Sequence, residues 1–178
     1  MNIIETNALT KYYGKSRGII DVDLSVPEGD FFGFIGPNGA GKSTTLRVLL
    51  GLISPTGGLA RIFGMDIVEN KEKILGQIGY MPSEPAFYHG MKVSECLRYS
   101  ARLRGMDCAY EAKKLCERFE LDTERKINEL SLGNRKKVSI VCALQHMPKL
   151  CILDEPTSGL DPLMQREFYS VLEDRNAK

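Results

Sequence analysis

Gly36-Pro37-Asn38-Gly39-Ala40-Gly41-Lys42-Ser43-Thr44 sets three glycines ahead of a lysine and two hydroxyls. The spacing fits Gly-x-x-x-x-Gly-Lys-Ser/Thr, and each part has a physical use. Glycines tolerate φ > 0 and carry no Cβ, so successive backbone N–H groups can converge on one anion. Lys42 adds a mobile ammonium that reaches β- and γ-phosphates, and the Ser43 hydroxyl suits Mg²⁺. Further along, Leu150-Cys151-Ile152-Leu153-Asp154-Glu155 is an apolar run closed by two carboxylates. Mg²⁺ takes hard oxygen ligands and keeps several waters, so one carboxylate, Asp154, suffices beside Ser43 and phosphate. Glu155 is then free to orient or deprotonate an attacking water. The chemistry implied is binding and hydrolysis of a nucleoside triphosphate.

These groups need elements to position them. Phe31-Phe32-Gly33-Phe34-Ile35 reads as a buried strand entering the glycine-rich loop, and Lys42 to Leu50 reads as a helix whose positive end faces the anion. The alternative, a plain glycine-rich turn, is disfavoured by strand, loop and helix standing in that order. Leu150 to Leu153 reads as a strand. In parallel α/β sheets ligands gather at the carboxyl ends of strands, which puts Asp154 near Lys42. Pro156 biases Glu155 toward an extended backbone. Elsewhere in the first third, runs at Ile3–Thr6, Ile19–Val26 and Leu59–Phe63 alternate with breaks at Pro27-Glu28-Gly29-Asp30 and Ser54-Pro55-Thr56-Gly57-Gly58, as partly antiparallel strands would. Ile78-Gly79-Tyr80-Met81 is another short strand.

From Val93 to Met147 the pattern turns helical. Val93 to Leu103, Ala109 to Phe119 and Arg135 to Met147 carry apolar residues at three-to-four spacing, and a last helix starts at Pro162. The fold expected is α/β, with an antiparallel β subdomain and an inserted helical subdomain. Its boundaries are 1–90 for the core with the phosphate loop, 91–147 for the helical block and 148–178 for the return to the core. A chain of 178 residues is long enough for a sizeable core.

With 24 basic against 23 acidic residues the net charge is +1, so no global field recruits nucleic acid. Five cysteines lie among apolar neighbours in no metal-ligand spacing and read as small hydrophobes in a reducing compartment. No apolar run approaches the ~20 residues that cross a bilayer, so any membrane role is expected to come through a partner. Of the two histidines, His146 and His89 both read as structural or surface residues.

Taken in order, Lys11-Tyr12-Tyr13-Gly14, the phosphate loop, Tyr80-Met81-Pro82-Ser83, Leu130-Ser131-Leu132-Gly133-Asn134 and Asp154-Glu155-Pro156-Thr157-Ser158-Gly159-Leu160-Asp161 resemble the ATP-binding cassette (ABC) transporter ATPases over nearly the whole chain. The resemblance implies a P-loop NTPase core that takes ATP and Mg²⁺. Gly36, Pro37, Asn38, Gly39, Ala40, Gly41, Lys42, Ser43 and Thr44 would hold the phosphates, Ser43 and Asp154 the metal, and Glu155 with Lys42 would be catalytic. Tyr13 would stack on adenine, an ordinary strand tyrosine being the alternative. Ser131 and Gly133 belong to the loop that, in this family, closes on the γ-phosphate held by a second, facing copy. Arg135, Lys136 and Lys137 fall in the first turn of the next helix, where cations oppose the macrodipole. Either a phosphate approaches that end or the three form a solvated basic turn. Asp161 resembles the aspartate that reaches across such a dimer, and it is also a good N-cap ahead of Pro162.

The implied partners are a membrane-spanning permease and a second ATPase domain, with no nucleic acid, at the cytoplasmic face of the membrane. Ser131-Leu132-Gly133 is similar to the bacterial branch that exports antibiotics, lipids or ions. Ser83 stands where the family usually has Gln and is too short to touch the metal without an intervening water. The family continues past the last helix into a strand ending in a histidine, whereas this sequence stops at Asn176-Ala177-Lys178. That implies a fragment that binds ATP poorly or hydrolyses it slowly, and whose sheet lacks an inner strand. A cassette ATPase of translation or DNA repair would usually carry a second cassette or long coiled-coil segments, and no heptad run exists here. A GTPase would need Asn-Lys-x-Asp, and Asn70-Lys71-Glu72-Lys73 lacks the aspartate. A non-hydrolysing nucleotide sensor is opposed by Glu155, while the truncation and Ser83 keep that alternative open.

Overall fold

The computed structural model describes residues 1–176. They form two compact units, Met1–Gln77 and the chain from Ile78 onward.

In the first unit, β1 (Asn2–Tyr13) and β2 (Ser16–Pro27) make a long hairpin closed by Gly14 and Lys15. A four-stranded antiparallel sheet of order β2-β1-β3-β4 follows, with β3 at Gly57–Ile62 and β4 at Met65–Asp66. The hairpin is longer than alternation alone implies, because bulges interrupt its period. The register slips between Thr6 and Leu9 and again between Leu9 and Lys11, with Ala8 at φ 47° and Asp21 at φ 50°. Side chains stitch the irregular stretch: Thr6 Oγ1 donates to Val22 O at 2.7 Å, and Ala8 N–H donates to an Asp23 carboxylate oxygen at 2.6 Å. Ile4, Leu9, Ile19, Ala60 and Ile62 are buried. Helix α1 (Lys42–Leu49) sends Thr45, Val48 and Leu49 into the interior, and α2 (Lys71–Leu75) follows β4.

Residues 31–35 do not form the expected strand. Among the described residues they pair with no ladder, and Phe31, Phe32, Phe34 and Ile35 are exposed, Ile35 to 94 %. Apolarity alone does not make a strand. An extended segment is stable only when neighbours take its N–H and C=O groups, and this segment has none.

In the second unit, β5 (Ile78–Met81) and β6 (Leu150–Leu153) form a parallel pair, Ile78 facing Leu150 and Met81 facing Leu153. Four helices complete the unit, α3 (Val93–Leu103), α4 (Ala109–Arg118), α5 (Leu132–Leu144) and α6 (Pro162–Asn176), with α5 packed on β5 and α3 and α4 packed on α5. The core runs through Leu97, Leu115, Phe119, Ile140, Leu144, Met164 and Phe168. Because α5 is buried on nearly every face from Lys136 on, it is the centre of the unit rather than a cover on it. Arg118 of α4 pairs with Glu167 and, at 2.6 Å, with Asp174 of α6, and Arg175 pairs with Glu111 at 3.2 Å. All five cysteines are free.

His146 follows α5, is 4 % exposed, and sets Nε2 3.2 Å from Ile78 O, while Nδ1 has no hydrogen-bond partner among the described residues. Burial, with help from the nearby Arg104 charge, pushes its imidazolium down from the usual 6.5 to about 4. Above the unfolded value both states are neutral, so stability is complete there. Between the unfolded value and about 4 the unfolded chain takes a proton the fold refuses, and stability falls as pH drops, by up to about 1.4 kcal/mol per pH unit. Urea midpoints measured from neutral to mildly acidic pH should show that decline, and His146→Gln should flatten it. An unchanged slope would contradict the assignment.

Candidate functional site

The phosphate loop runs directly into α1. Gly39 (φ 81°) and Gly41 (φ 93°) both sit in the left-handed region, and Gly41 is the residue before the helix. Only glycine fits at position 41: a Cβ there would lie 2.4 Å from Ile19 Cγ2 and 3.3 Å from Gly18 O. Around Gly39 the space is open, so the backbone there is free to meet a ligand. No side chain caps α1 and no acidic residue lies in its first turn, which leaves amide donors at the positive end of the helix. The Lys42 ammonium donates to Gly36 O at 2.5 Å and to Pro37 O at 2.9 Å. It is thus folded back over its own loop, where phosphate oxygens would replace weaker carbonyl acceptors. Ser43 is exposed, and Thr45 Oγ1 donates to Gly41 O at 3.1 Å.

Tyr13 lies at the tip of the hairpin, 46 % exposed, with the Lys11 ammonium 5.7 Å from its ring centroid. A Cβ at Gly18 would meet Tyr13 Cε2 at 3.0 Å and Lys11 O at 2.6 Å. The same short piece of β2 therefore has the tyrosine ring on Gly18 and the end of the phosphate loop against Gly18 and Ile19. Tyr13 and the end of the glycine-rich loop thus share one neighbourhood in the first unit. Gly18 was not among the residues singled out in the sequence, where nothing separates it from any other strand glycine.

The second unit gathers the other candidates. Asp154 extends the parallel ladder by one step, its N–H donating to Met81 O at 2.9 Å. Glu155 follows with an exposed side chain and φ 49°, so it is left-handed and not extended as the following proline suggests. The reason is tertiary: its carbonyl accepts from Ser158 N–H at 3.2 Å and from the Lys136 ammonium at 3.2 Å. Ser131 caps α5, its Oγ accepting from Asn134 N–H at 3.3 Å, so the helix begins at Leu132. That start moves Lys136 and Lys137 out of the first turn. They are 2 % and 9 % exposed, so neither belongs to a solvated basic turn. Gly133 packs on the turn after Glu155, and a Cβ there would lie 2.7 Å from Gly159 O. Asp161 accepts from Leu163 and Met164 N–H, both at 3.0 Å, as the cap of α6.

Within the second unit, then, Asp154, Glu155, Ser131 and Gly133 lie on elements in mutual contact. Within the first, Tyr13 and the 36–44 loop do. Among the described residues no three His, Cys, Asp or Glu cluster as a metal site, so a divalent ion here would draw on single carboxylates, hydroxyls, substrate oxygens and water.

A glycine-rich loop opening a helix in a unit with an antiparallel sheet, and an acid-tipped parallel strand in a unit of helices, define an α/β protein. The family described as ABC transporter matches residues 19–158, and the chain belongs to that family. It is 41 % identical over 180 residues to the bacitracin transport ATP-binding protein BcrA of Bacillus licheniformis, covering 98 % of this chain and 59 % of that one. It is 36 % identical to the daunorubicin/doxorubicin resistance ATP-binding protein DrrA of Streptomyces peucetius, over 95 % of this chain and 53 % of that one. The chain therefore spans between half and three-fifths of the length of these relatives. Among solved structures, an ATP-binding subunit of an ABC transporter matches with a TM-score of 0.90 at 32 % identity, over 98 % of this chain and 75 % of that one. A dimeric bacterial ABC transporter cassette matches at 0.88 and 25 % identity, over 98 % and 83 %. Among the described residues no helix is long and apolar enough to cross a membrane.

Proposed function

We propose that this chain is the ATP-binding and ATP-hydrolysing part of an ABC exporter, acting with a membrane-spanning permease and a second ATPase domain at the cytoplasmic face of the membrane. The observation that carries the reading is the uncapped start of α1, with Gly39 and Gly41 left-handed, Lys42 folded over the loop and the Tyr13 ring on the neighbouring strand residue. The names of the relatives, one concerned with bacitracin transport and another with daunorubicin/doxorubicin resistance, favour export of antibiotic-like compounds.

In this reading Tyr13 takes the adenine face, and residues 36–44 take the β- and γ-phosphates. Ser43 and Asp154 are the oxygen ligands offered to Mg²⁺, which when bound neutralises charge on the phosphoryl group being transferred. Glu155 orients the attacking water and accepts its proton. Ser131 and Gly133 address the γ-phosphate of a facing copy. ATP then draws two such domains together, and hydrolysis lets them part, so that the work on the permease comes from closure. The domain limits that go with this reading are 1–90, 91–147 and 148–178.

Calorimetric titration with Mg·ATP tests it. The unsubstituted protein should bind, and Lys42→Ala should weaken binding by about 10- to 100-fold, the worth of one charge-assisted contact to phosphate. No binding by the unsubstituted protein, or equal affinity in the variant, would overturn the proposal.

A further inference from the structure

Two strands that run parallel and then diverge leave carbonyls beyond the last rung with no ladder donor. In the second unit the final rung is Asp154 N–H to Met81 O. Past it lie Ser83 after β5 and Glu155 after β6. One group serves both: the Lys136 ammonium, reaching from α5, donates to Ser83 O at 2.5 Å and to Glu155 O at 3.2 Å. Lys136 is 2 % exposed, and an ammonium so buried is costly unless its N–H groups are used. Its other surroundings are acidic. Burial pushes it below the usual lysine range, while the charges of Glu155, Asp154 and Glu84 act to hold it up.

We propose that Lys136 is a positioning residue for Glu155, locking the divergent ends of β5 and β6 at one point and so holding Glu155 in its left-handed backbone. A left-handed non-glycine residue is sparsely populated and persists when its surroundings over-determine it. Here the over-determination is visible: the Glu155 carbonyl takes both a turn N–H from Ser158 and the buried ammonium. Because that carbonyl belongs to the residue whose side chain would accept the proton, freeing it lets the peptide plane turn and the carboxylate swing. The catalytic half of this inference rests on the proposed ATPase reading, whereas the tether itself does not.

Lys136→Met, which keeps the apolar stem and removes the donors, separates the two. Hydrogen exchange should quicken about tenfold in peptides covering residues 82–86 and 154–159, the loss expected for a charged hydrogen bond, with no change in residues 19–50. ATP hydrolysis should fall about tenfold or more in kcat, with KM within about twofold. Lys136→Arg, which restores N–H donors and charge, should recover most of both. If the Met variant does not fold, Lys136→Gln, with a shorter donor, carries the same comparison. Faster exchange throughout the second unit without rescue by Arg would make Lys136 an ordinary core residue and overturn the proposal. Unchanged exchange at either segment would overturn it too, as would an unchanged kcat. Should the unsubstituted protein neither bind nor hydrolyse ATP, the ATPase reading fails, and the exchange measurements still decide whether the tether exists.

Discussion

Glu155→Gln should cut ATP turnover by about a thousandfold, roughly 4 kcal/mol in the barrier, while ATP affinity and melting temperature stay close to the unsubstituted values. The split follows from where the residue sits. Its side chain is exposed, so exchanging one carboxylate oxygen for an amide leaves no cavity and no buried unpaired group. Its backbone is fixed through the carbonyl, by Ser158 and Lys136, and the substitution does not touch that carbonyl. What is lost is proton acceptance, which an amide cannot provide at neutral pH. Steady-state hydrolysis beside calorimetric affinity measures both halves. A rate within tenfold of the unsubstituted protein would remove Glu155 from the role of base.

A second large effect is purely structural. Gly79 lies in the middle of β5, paired with Cys151, where the strand crosses the end of α5. A Cβ built there falls 2.2 Å from Ala143 O and 2.8 Å from Pro148 Cγ, against a backbone carbonyl and a proline ring, neither of which can turn aside. Gly79→Ala must therefore lift β5 off the helix or break the parallel ladder, and the rung from Asp154 to Met81 lies two residues on. Overpacking of this kind costs about 3 kcal/mol or more. For a chain of this size that lowers the melting temperature by roughly 6–12 °C. A thermal melt within about 2 °C of the unsubstituted protein would show that the crossing relaxes.

Elements whose signal is local were readable in the residues themselves. Ile78–Met81, Leu150–Leu153 and Val93–Leu103 appear with the limits their patterns imply, because each is a short run whose period or flanking turn residues leave no choice. The phosphate loop was legible because its glycines answer a backbone demand that no other residue meets. Three features were not readable, each for a non-local reason. Residues 31–35 are apolar enough for an inner strand, yet strandedness is a property of a pair, and among the described residues no ladder partner takes them. Glu155 precedes a proline, whose local bias is overruled by a lysine nineteen positions earlier. Lys136 and Lys137 look like surface charge until the run that follows is weighed. Val138-Ser139-Ile140-Val141-Cys142-Ala143-Leu144 has no polar stripe, so the helix is enclosed on all sides, and lysines at its start must share that enclosure.

The unpaired stretch from Phe31 to Ile35 carries a practical consequence. Three phenylalanine rings and an isoleucine stand in water beside amide groups that have no sheet neighbour, the combination from which intermolecular cross-β stacking begins. In concentrated solution such a ribbon is expected to self-associate, so that light scattering should rise with concentration. Dilution, or a mild amphiphile that blankets those rings, should lower it.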